Sequence, residues 1–323
     1  METLLAYAKQ LFDNESYRHD PIELYEPIHY TMHLGGKRIR PVMLMAANQL
    51  FGGNPEQVSH AAIAIETFHN FTLLHDDLMD KSPLRRGQPT VYRKWNENIA
   101  ILSGDTMFAM AWRYLLKKPH HNLQMILNTF NETAIEVCEG QQYDMNFETS
   151  DVVTIPQYIE MIRQKTAVLL AGALKMGALY ADAPQADIDN LYQYGIHLGL
   201  AFQLQDDLLD AYGDVATFGK QTQQDIRDRK KTFLILKALE VSNESQRTLL
   251  RQLFAQPDGS QNEEDCIRQV LEIYNELNIR QQTEAAIDEE FKHAEAFLDA
   301  VNRPESDKKP LRQLNKKLLN RQY

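Results

Sequence analysis

The chain has 323 residues, 43% of them hydrophobic and 24% charged, with a formal net charge of −11. Such a composition is that of a soluble globular protein, long enough for one large fold or two average domains. The acidic excess excludes the basic footprint of a nucleic-acid binder, and an anion binder of this charge needs metal ions to invert the local sign.

Cys138 and Cys266 lie far apart and in no metal-ligand spacing, which fits two reduced thiols in a cytoplasmic protein. Glu2 and Lys9 interrupt the short apolar pieces of Met1 to Phe12, so no signal-peptide core is expected. Lys175 breaks the most apolar window, Ala167 to Ala181, which is also too short to span a bilayer. Stable membrane insertion is therefore not expected.

The 14 glycines and 12 prolines mark boundaries instead of filling linkers. No segment alternates with period two, whereas apolar residues recur at spacings of three and four. Ile159, Ile162, Thr166, Leu169, Leu170 and Ala173 form one stripe, and Leu191, Tyr194, Gly195, Leu198 and Phe202 another. The predicted class is all-α, a single large helical bundle around a central cavity. With no repeat and no linker, residues 1–323 read as one domain.

In chain order, Asn54-Pro55 reads as an N-cap followed by an N1 proline, opening a helix through Ile65 toward Asp80. Pro83 makes Ser82 a poor helical residue, so that helix should stop near Lys81. A second helix should begin after Pro184 and end at Gly213. The two share a pattern: Phe71 to Asp80 and Ala201 to Asp210 are apolar helical runs ending in Asp-Asp-x-x-Asp. Polar stretches at Ser82 to Val91 and Asp214 to Thr232 predict loops hanging over the carboxylates. Gln256 to Glu264 reads as a surface connection. From Arg303 the tail is basic, with Lys308, Lys309, Arg312, Lys316, Lys317 and Arg321.

The chemistry starts at the aspartates. Helical residues four apart share a face about 6 Å apart along the axis. Asp76 and Asp80 therefore project together with Asp77 to one side, and Asp206, Asp210 and Asp207 repeat the arrangement. Like charges repel, and a helix C-terminus disfavours anions through its dipole. Each cluster demands cations, and hard oxygen ligands of this kind suit Mg²⁺ shared with substrate phosphates. One such motif arises by chance in roughly 4% of chains this long and two in about 0.1%, which makes the pair the informative signal. Two clusters on separate helices could bracket one diphosphate.

Basic groups follow where a diphosphate needs them. Gly35-Gly36-Lys37-Arg38-Ile39-Arg40-Pro41 places three cations in four residues, and Arg85-Arg86-Gly87 lies just past the first cluster. A guanidinium grips phosphate oxygens bidentately. Lys165, Lys220 and the Lys230-Lys231 pair add point charges around the second cluster.

Taken in order, Gly35 to Pro41, His69 to Asp80, Arg85-Arg86-Gly87, Gly104-Asp105, Lys165-Thr166, Phe202 to Asp210, and Gly219-Lys220 leading to Lys230-Lys231-Thr232 closely resemble the polyprenyl synthetase family. The resemblance implies the isoprenoid synthase type of helical fold and condensation of isopentenyl diphosphate with an allylic diphosphate. It implies three Mg²⁺ ions on the allylic diphosphate, ligated by Asp76, Asp80 and Asp206 and supported by Asp77, Asp207 and Asp210. Arg85, Lys165, Lys220 and Lys230 would complete the grip. The cations would stabilise the leaving group as an allylic carbocation forms. Lys37, Arg38, Arg40, His69 and Arg86 would hold isopentenyl diphosphate, and Thr166 and Gln203 would stabilise positive charge with oxygen dipoles. The departing pyrophosphate would take the proton.

His75 is expected to pack behind the site, and His120, His121 and Cys138 to be structural. In this family the pocket floor lies just before the first cluster, which points to Phe71, Thr72 and Phe68. These predict a farnesyl or geranylgeranyl product, with a longer chain as the alternative. Gln223-Gln224 stands where many relatives carry glycines. Family analogy adds a homodimer. A metal-dependent phosphohydrolase using His75-Asp76 is the main rival, but it gives no role to Asp206 to Asp210 or to Lys37 to Arg40. A terpene cyclase would not need an isopentenyl site, and a silent partner subunit would not need every ligand.

Overall fold

The computed structural model describes residues 2–213, 222–255 and 262–319. Helices dominate them. The N-terminal set is α1 (Glu2–Asn14), α2 (Ile22–His33), α3 (Ile39–Leu50), α4 (Ser59–Met79), α5 (Val91–Lys94) and α6 (Glu97–Leu115). Then come α7 (Leu123–Thr149), α8 (Ile155–Ile162), a π turn (Arg163–Ala167), α9 (Val168–Leu179) and α10 (Gln185–Tyr212). The rest is α11 (Gln224–Arg227), α12 (Phe233–Val241), α13 (Glu244–Leu253), α14 (Glu263–Glu276), α15 (Ile279–Ala300) and α16 (Glu305–Leu319).

The described residues sort into two compact units, and each boundary except one falls inside a helix. One unit takes its residues from Met1–Asn131, Gly172–Tyr192 and Val301–Leu314. Within it, α4 packs along α6 and α3. Asn54 does cap the approach to α4, accepting the Glu56 N–H at 3.0 Å, but what it caps is a single 3-10 turn over Pro55–Val58. The α4 face toward the core is continuous: Ala61, Ala62, Ala64, Ile65 and Phe68 are buried. Gly104 of α6 lets α4 come close, since a Cβ there would stand 2.1 Å from His75 Nε2.

The polar stretch after α4 is more ordered than its sequence predicts. Strands β1 (Leu84–Arg85) and β2 (Gln88–Pro89) pair antiparallel, joined by Arg86 and Gly87 at φ of +53° and +75°. Two left-handed residues are what a tight hairpin requires, which explains the glycine.

The second unit draws on Glu132–Ala171, Gln193–Ala300 and Asn315–Tyr323. Its α8 opens on a capping box in which Thr154 and Gln157 satisfy each other's backbone N–H groups. The helix then widens into the π turn. Gly140 of α7 makes this possible, because a Cβ would sit 2.3 Å from the Lys165 backbone nitrogen. As expected, α10 begins just after Pro184, and Gly213 follows its last residue. No helix among the described residues is long and apolar enough to cross a membrane.

Candidate active site

Asp76 and Asp77 occupy the last turn of α4, and Asp80 is its C-cap. The Asp80 N–H donates to the Asp76 carbonyl at 2.9 Å, so this backbone stays helical through the motif. Asp77 is buried. Its Oδ2 accepts from Arg85 Nε at 2.7 Å, and Arg85 Nη2 lies 3.8 Å from Asp76 Oδ2. Burial pushes the Asp77 carboxyl above its ordinary range, and the Arg85 guanidinium opposes that shift. Among the described residues, Asp77 Oδ1 is buried with no hydrogen-bond partner.

The basic residues of the same unit divide into two kinds. Arg40 Nη1 donates to His69 Nε2 at 3.0 Å. Burial holds the His69 pKa well below its usual value, and the charges of Arg40, Arg86, Arg85 and Arg38 add to the effect. The imidazole is therefore neutral, with Nε2 accepting. Arg86 donates to the Gly35 carbonyl, and a Cβ on Gly36 would lie 2.7 Å from its Nη1, so the glycine pair gives that guanidinium its place. Lys37 is exposed.

Arg38 is placed differently from its basic neighbours. It stands at φ +50° and its side chain turns inward. Nη1 pairs with buried Glu66 at 2.7 Å, Nη2 donates to the Met32 carbonyl, and the guanidinium lies 4.7 Å from the Phe12 ring centre. With 9% of its side chain exposed, it is held within the scaffold of the turn.

In the second unit, Asp206, Asp207 and Asp210 stand on the last turns of α10. Asp207 is buried, and both its oxygens are engaged. The Tyr158 hydroxyl donates to Oδ2, and Gln203 Nε2 donates to Oδ1 at 3.0 Å. Gln203 Oε1 in turn accepts from the Thr166 hydroxyl at 3.0 Å. This chain fixes which way the Gln203 amide points. Burial raises the Asp207 pKa, and the hydrogen bonds from Tyr158 and Gln203 counter that rise.

Asp210 is tied differently. Its Oδ1 and Oδ2 accept the N–H groups of Gln224 and Asp225 at 3.2 and 3.0 Å, so it caps α11. Gln223, where many relatives are expected to carry a glycine, adopts φ +65°. Lys230 lines a small cavity with Asp207, Asp210, Asp225 and Tyr274. Lys231 diverges from it and donates to the carbonyls of Phe147 and Glu148 at the end of α7. Lys165, displayed by the π turn, pairs with Asp144 at 2.6 Å. Lys220 lies outside the described residues.

Sequence reasoning missed Tyr158, Asp144 and Asp225. Asp144 and Asp225 sit in polar stretches with no motif, and Tyr158 reads as an ordinary core residue of α8. His75 packs as expected, its ring 4.8 Å from that of Phe71. Phe68 is fully buried against Phe71, Phe108 and Phe130, with ring centres 5.3 to 5.9 Å away. Thr72 donates to the His69 carbonyl at 2.8 Å. His120 and His121 stack on each other, and His121 approaches Asp182 at 2.5 Å.

Hard carboxylate oxygens, among them the unpartnered Asp77 Oδ1, fit a divalent cation such as Mg²⁺. The neighbouring arginines and lysines fit a polyanion brought with it.

The Polyprenyl synthetase family matches residues 21–274. The geranylgeranyl diphosphate synthase of Methanosarcina mazei is 41% identical over 222 residues, 68% of each chain. A short chain isoprenyl diphosphate synthase of Methanocaldococcus jannaschii is 38% identical over 253 residues, 78% of this chain and 76% of its own. A crystal structure of a geranylgeranyl pyrophosphate synthase superposes with a TM-score of 0.91 at 40% identity, covering 100% of this chain and 98% of that one. The chain belongs to the polyprenyl synthetase family. It has the all-α isoprenoid synthase fold and is a trans-prenyltransferase, of a family that is Mg²⁺-dependent and joins isopentenyl diphosphate to allylic diphosphates.

Proposed function

We propose that this enzyme makes geranylgeranyl diphosphate, the twenty-carbon product, as one catalytic domain spanning residues 1–323. The carrying observation is the similarity to geranylgeranyl diphosphate synthases at about 40% identity. Falling mostly inside helices and not in linkers, the unit boundaries support the single domain. The aromatic stack at Phe68 and Phe71, directly before the first aspartate cluster, supports a short product, because a bulky floor limits how far a chain can grow.

Asp76, Asp80 and Asp206 ligate three Mg²⁺ ions, which when bound neutralise the leaving diphosphate. Asp77, Asp207 and Asp210 orient those ligands, held by Arg85, by Tyr158 with Gln203, and by the α11 amides. Lys165, Lys220 and Lys230 join Arg85 on the allylic diphosphate. Lys37, Arg40, Arg86 and neutral His69 hold isopentenyl diphosphate, while Arg38 braces the turn that carries Lys37 and Arg40. Thr166 and Gln203 turn oxygen atoms toward developing positive charge. The enzyme works in the cytoplasm as a homodimer, supported by the half-exposed Ile101, Leu102 and Leu116 at α6 and by two free cysteines.

The test uses Mg²⁺, isopentenyl diphosphate and labelled dimethylallyl, geranyl or farnesyl diphosphate, with products sized by chromatography. All three primers should converge on the twenty-carbon diphosphate. A fifteen-carbon endpoint, or one longer than twenty carbons, would refute the product, and phosphate release without elongation would refute the reaction. Phe71→Ala should lengthen the product. If Phe68→Ala leaves it unchanged, Phe68 is core and not floor.

A further inference from the structure

Outside both aspartate clusters, α10 and α15 bring together three side chains for which prenyl transfer has no use. His197 stands on α10, and Glu290 and His293 stand three residues apart on one face of α15. His197 Nδ1 is 2.7 Å from Glu290 Oε2, and the two imidazole rings are 5.1 Å apart at their centres. One nitrogen of each histidine and one oxygen of Glu290 all lie within 4.8 Å of one another. Phe297, one further turn along α15, stacks on the His197 ring at 5.4 Å and 14° and fixes its plane.

We propose that His197, Glu290 and His293 form a binding site for a borderline transition-metal ion of the Zn²⁺ class, separate from the Mg²⁺ aspartates. Two imidazoles and one carboxylate are a donor set that Zn²⁺ accepts with water in the fourth position. Imidazole nitrogen selects such ions over Mg²⁺, which prefers oxygen alone. Bonds of about 2.0–2.1 Å place tetrahedral ligand atoms roughly 3.4 Å apart. A rotation of the long Glu290 side chain would open its 2.7 Å contact with His197 to admit the ion, and small rotamer shifts would draw in ligand atoms that now lie within 4.8 Å of one another. Side-chain exposures of 21% for His197 and 19% for Glu290 leave the pair mostly buried, while exposed His293 gives the ion a path in. The ligands sit on two long helices, so the geometry is held by rigid elements. His197 shares α10 with Asp206, Asp207 and Asp210, so a bound ion clamps their helix to α15.

The test titrates the full-length protein, stripped of metal and returned to excess Mg²⁺, with Co²⁺ as the probe. Four-coordinate Co²⁺ with imidazole ligands absorbs far more strongly in the visible than six-coordinate Co²⁺ on oxygen, so the aspartates stay silent. One equivalent per chain should produce the band, and Zn²⁺ should displace it. His293→Ala and Glu290→Gln should weaken binding at least ~10-fold, while Asp76→Ala should leave it intact. His293 is exposed, and His293→Ala should keep its Mg²⁺-dependent prenyl transfer, which shows that the fold is retained. Absence of the band, an identical titration in His293→Ala, or loss only in His120→Ala would each overturn the proposal.

Discussion

A carboxylate at the C-terminal end of a helix opposes the helix dipole, and three aspartates here meet that cost in three ways. Arg85 neutralises Asp77, neutral donors on Tyr158 and Gln203 satisfy Asp207, and backbone amides of α11 satisfy Asp210. Asp76 and Asp206 are the cation ligands of the proposed function. Asp76→Ala or Asp206→Ala should lower turnover by roughly 10²-fold or more, with an unchanged far-UV circular dichroism spectrum. The aspartates were legible because a helix converts their spacing into one face. The inward course of Arg38 was not legible for the opposite reason: its neighbours Lys37 and Arg40 suggest a shared job, and the left-handed backbone at Arg38 sends it to Glu66.

A second residue-scale expectation concerns pH. Burial lowers the His60 pKa to about 4, with Lys118 adding to the shift, and its Nε2 lies 3.2 Å from the Tyr180 hydroxyl. An unfolded histidine titrates near about 6.5. Between those values the unfolded chain takes a proton that the folded chain refuses. Stability should therefore fall as pH drops from about 6.5 to 4, by at most about 3 kcal/mol, and this contribution should level off below. Urea midpoints measured across that range should show the slope, and His60→Gln should flatten it.

At the scale of elements, small backbone departures place the groups proposed to act in catalysis. Gly140→Ala should push the π turn away from α7 and lower turnover through Lys165 and Thr166. Gln223 pays for its left-handed backbone, a conformation that costs a non-glycine residue about 1–2 kcal/mol. Gln223→Gly should thus retain stability and activity, whereas Gln223→Val should destabilise by about that amount, both read from denaturant unfolding. Helix ends at Pro184 and Gly213 were legible because caps and breakers act locally, whereas the cap at Asn54 opens a 3-10 turn ahead of α4. The hairpin and the π turn were not, since the first depends on two residues of positive φ and the second on a glycine in another helix.

For the whole molecule, the all-helical class follows from apolar periodicity alone, and the structure bears it out. Large side chains such as Tyr17, Tyr194, Tyr274 and Phe68 are fully buried, and burial on that scale contributes roughly 1.5–3 kcal/mol per large apolar residue. Helices held that way do not depend on magnesium. Chelation should stop condensation, and excess Mg²⁺ should restore it, while the far-UV spectrum stays constant throughout. The sorting into two units was not legible, because all but one of its boundaries fall inside helices and leave no compositional trace.

The π turn at Arg163–Ala167 behaves as one residue inserted into an otherwise regular helix. Each residue of an α-helix advances about 100° around its axis, so everything after the turn is rotated by that amount from where an unbroken helix would leave it. Lys165 and Thr166 meet Asp144 and Gln203 from within this reset. Removing Gln164 would restore a smooth helix of nearly the same length and helicity, yet it would put α8 and α9 out of phase. The flaw in the helix is thus a setting of rotational register, and repairing it would cost the enzyme its alignment.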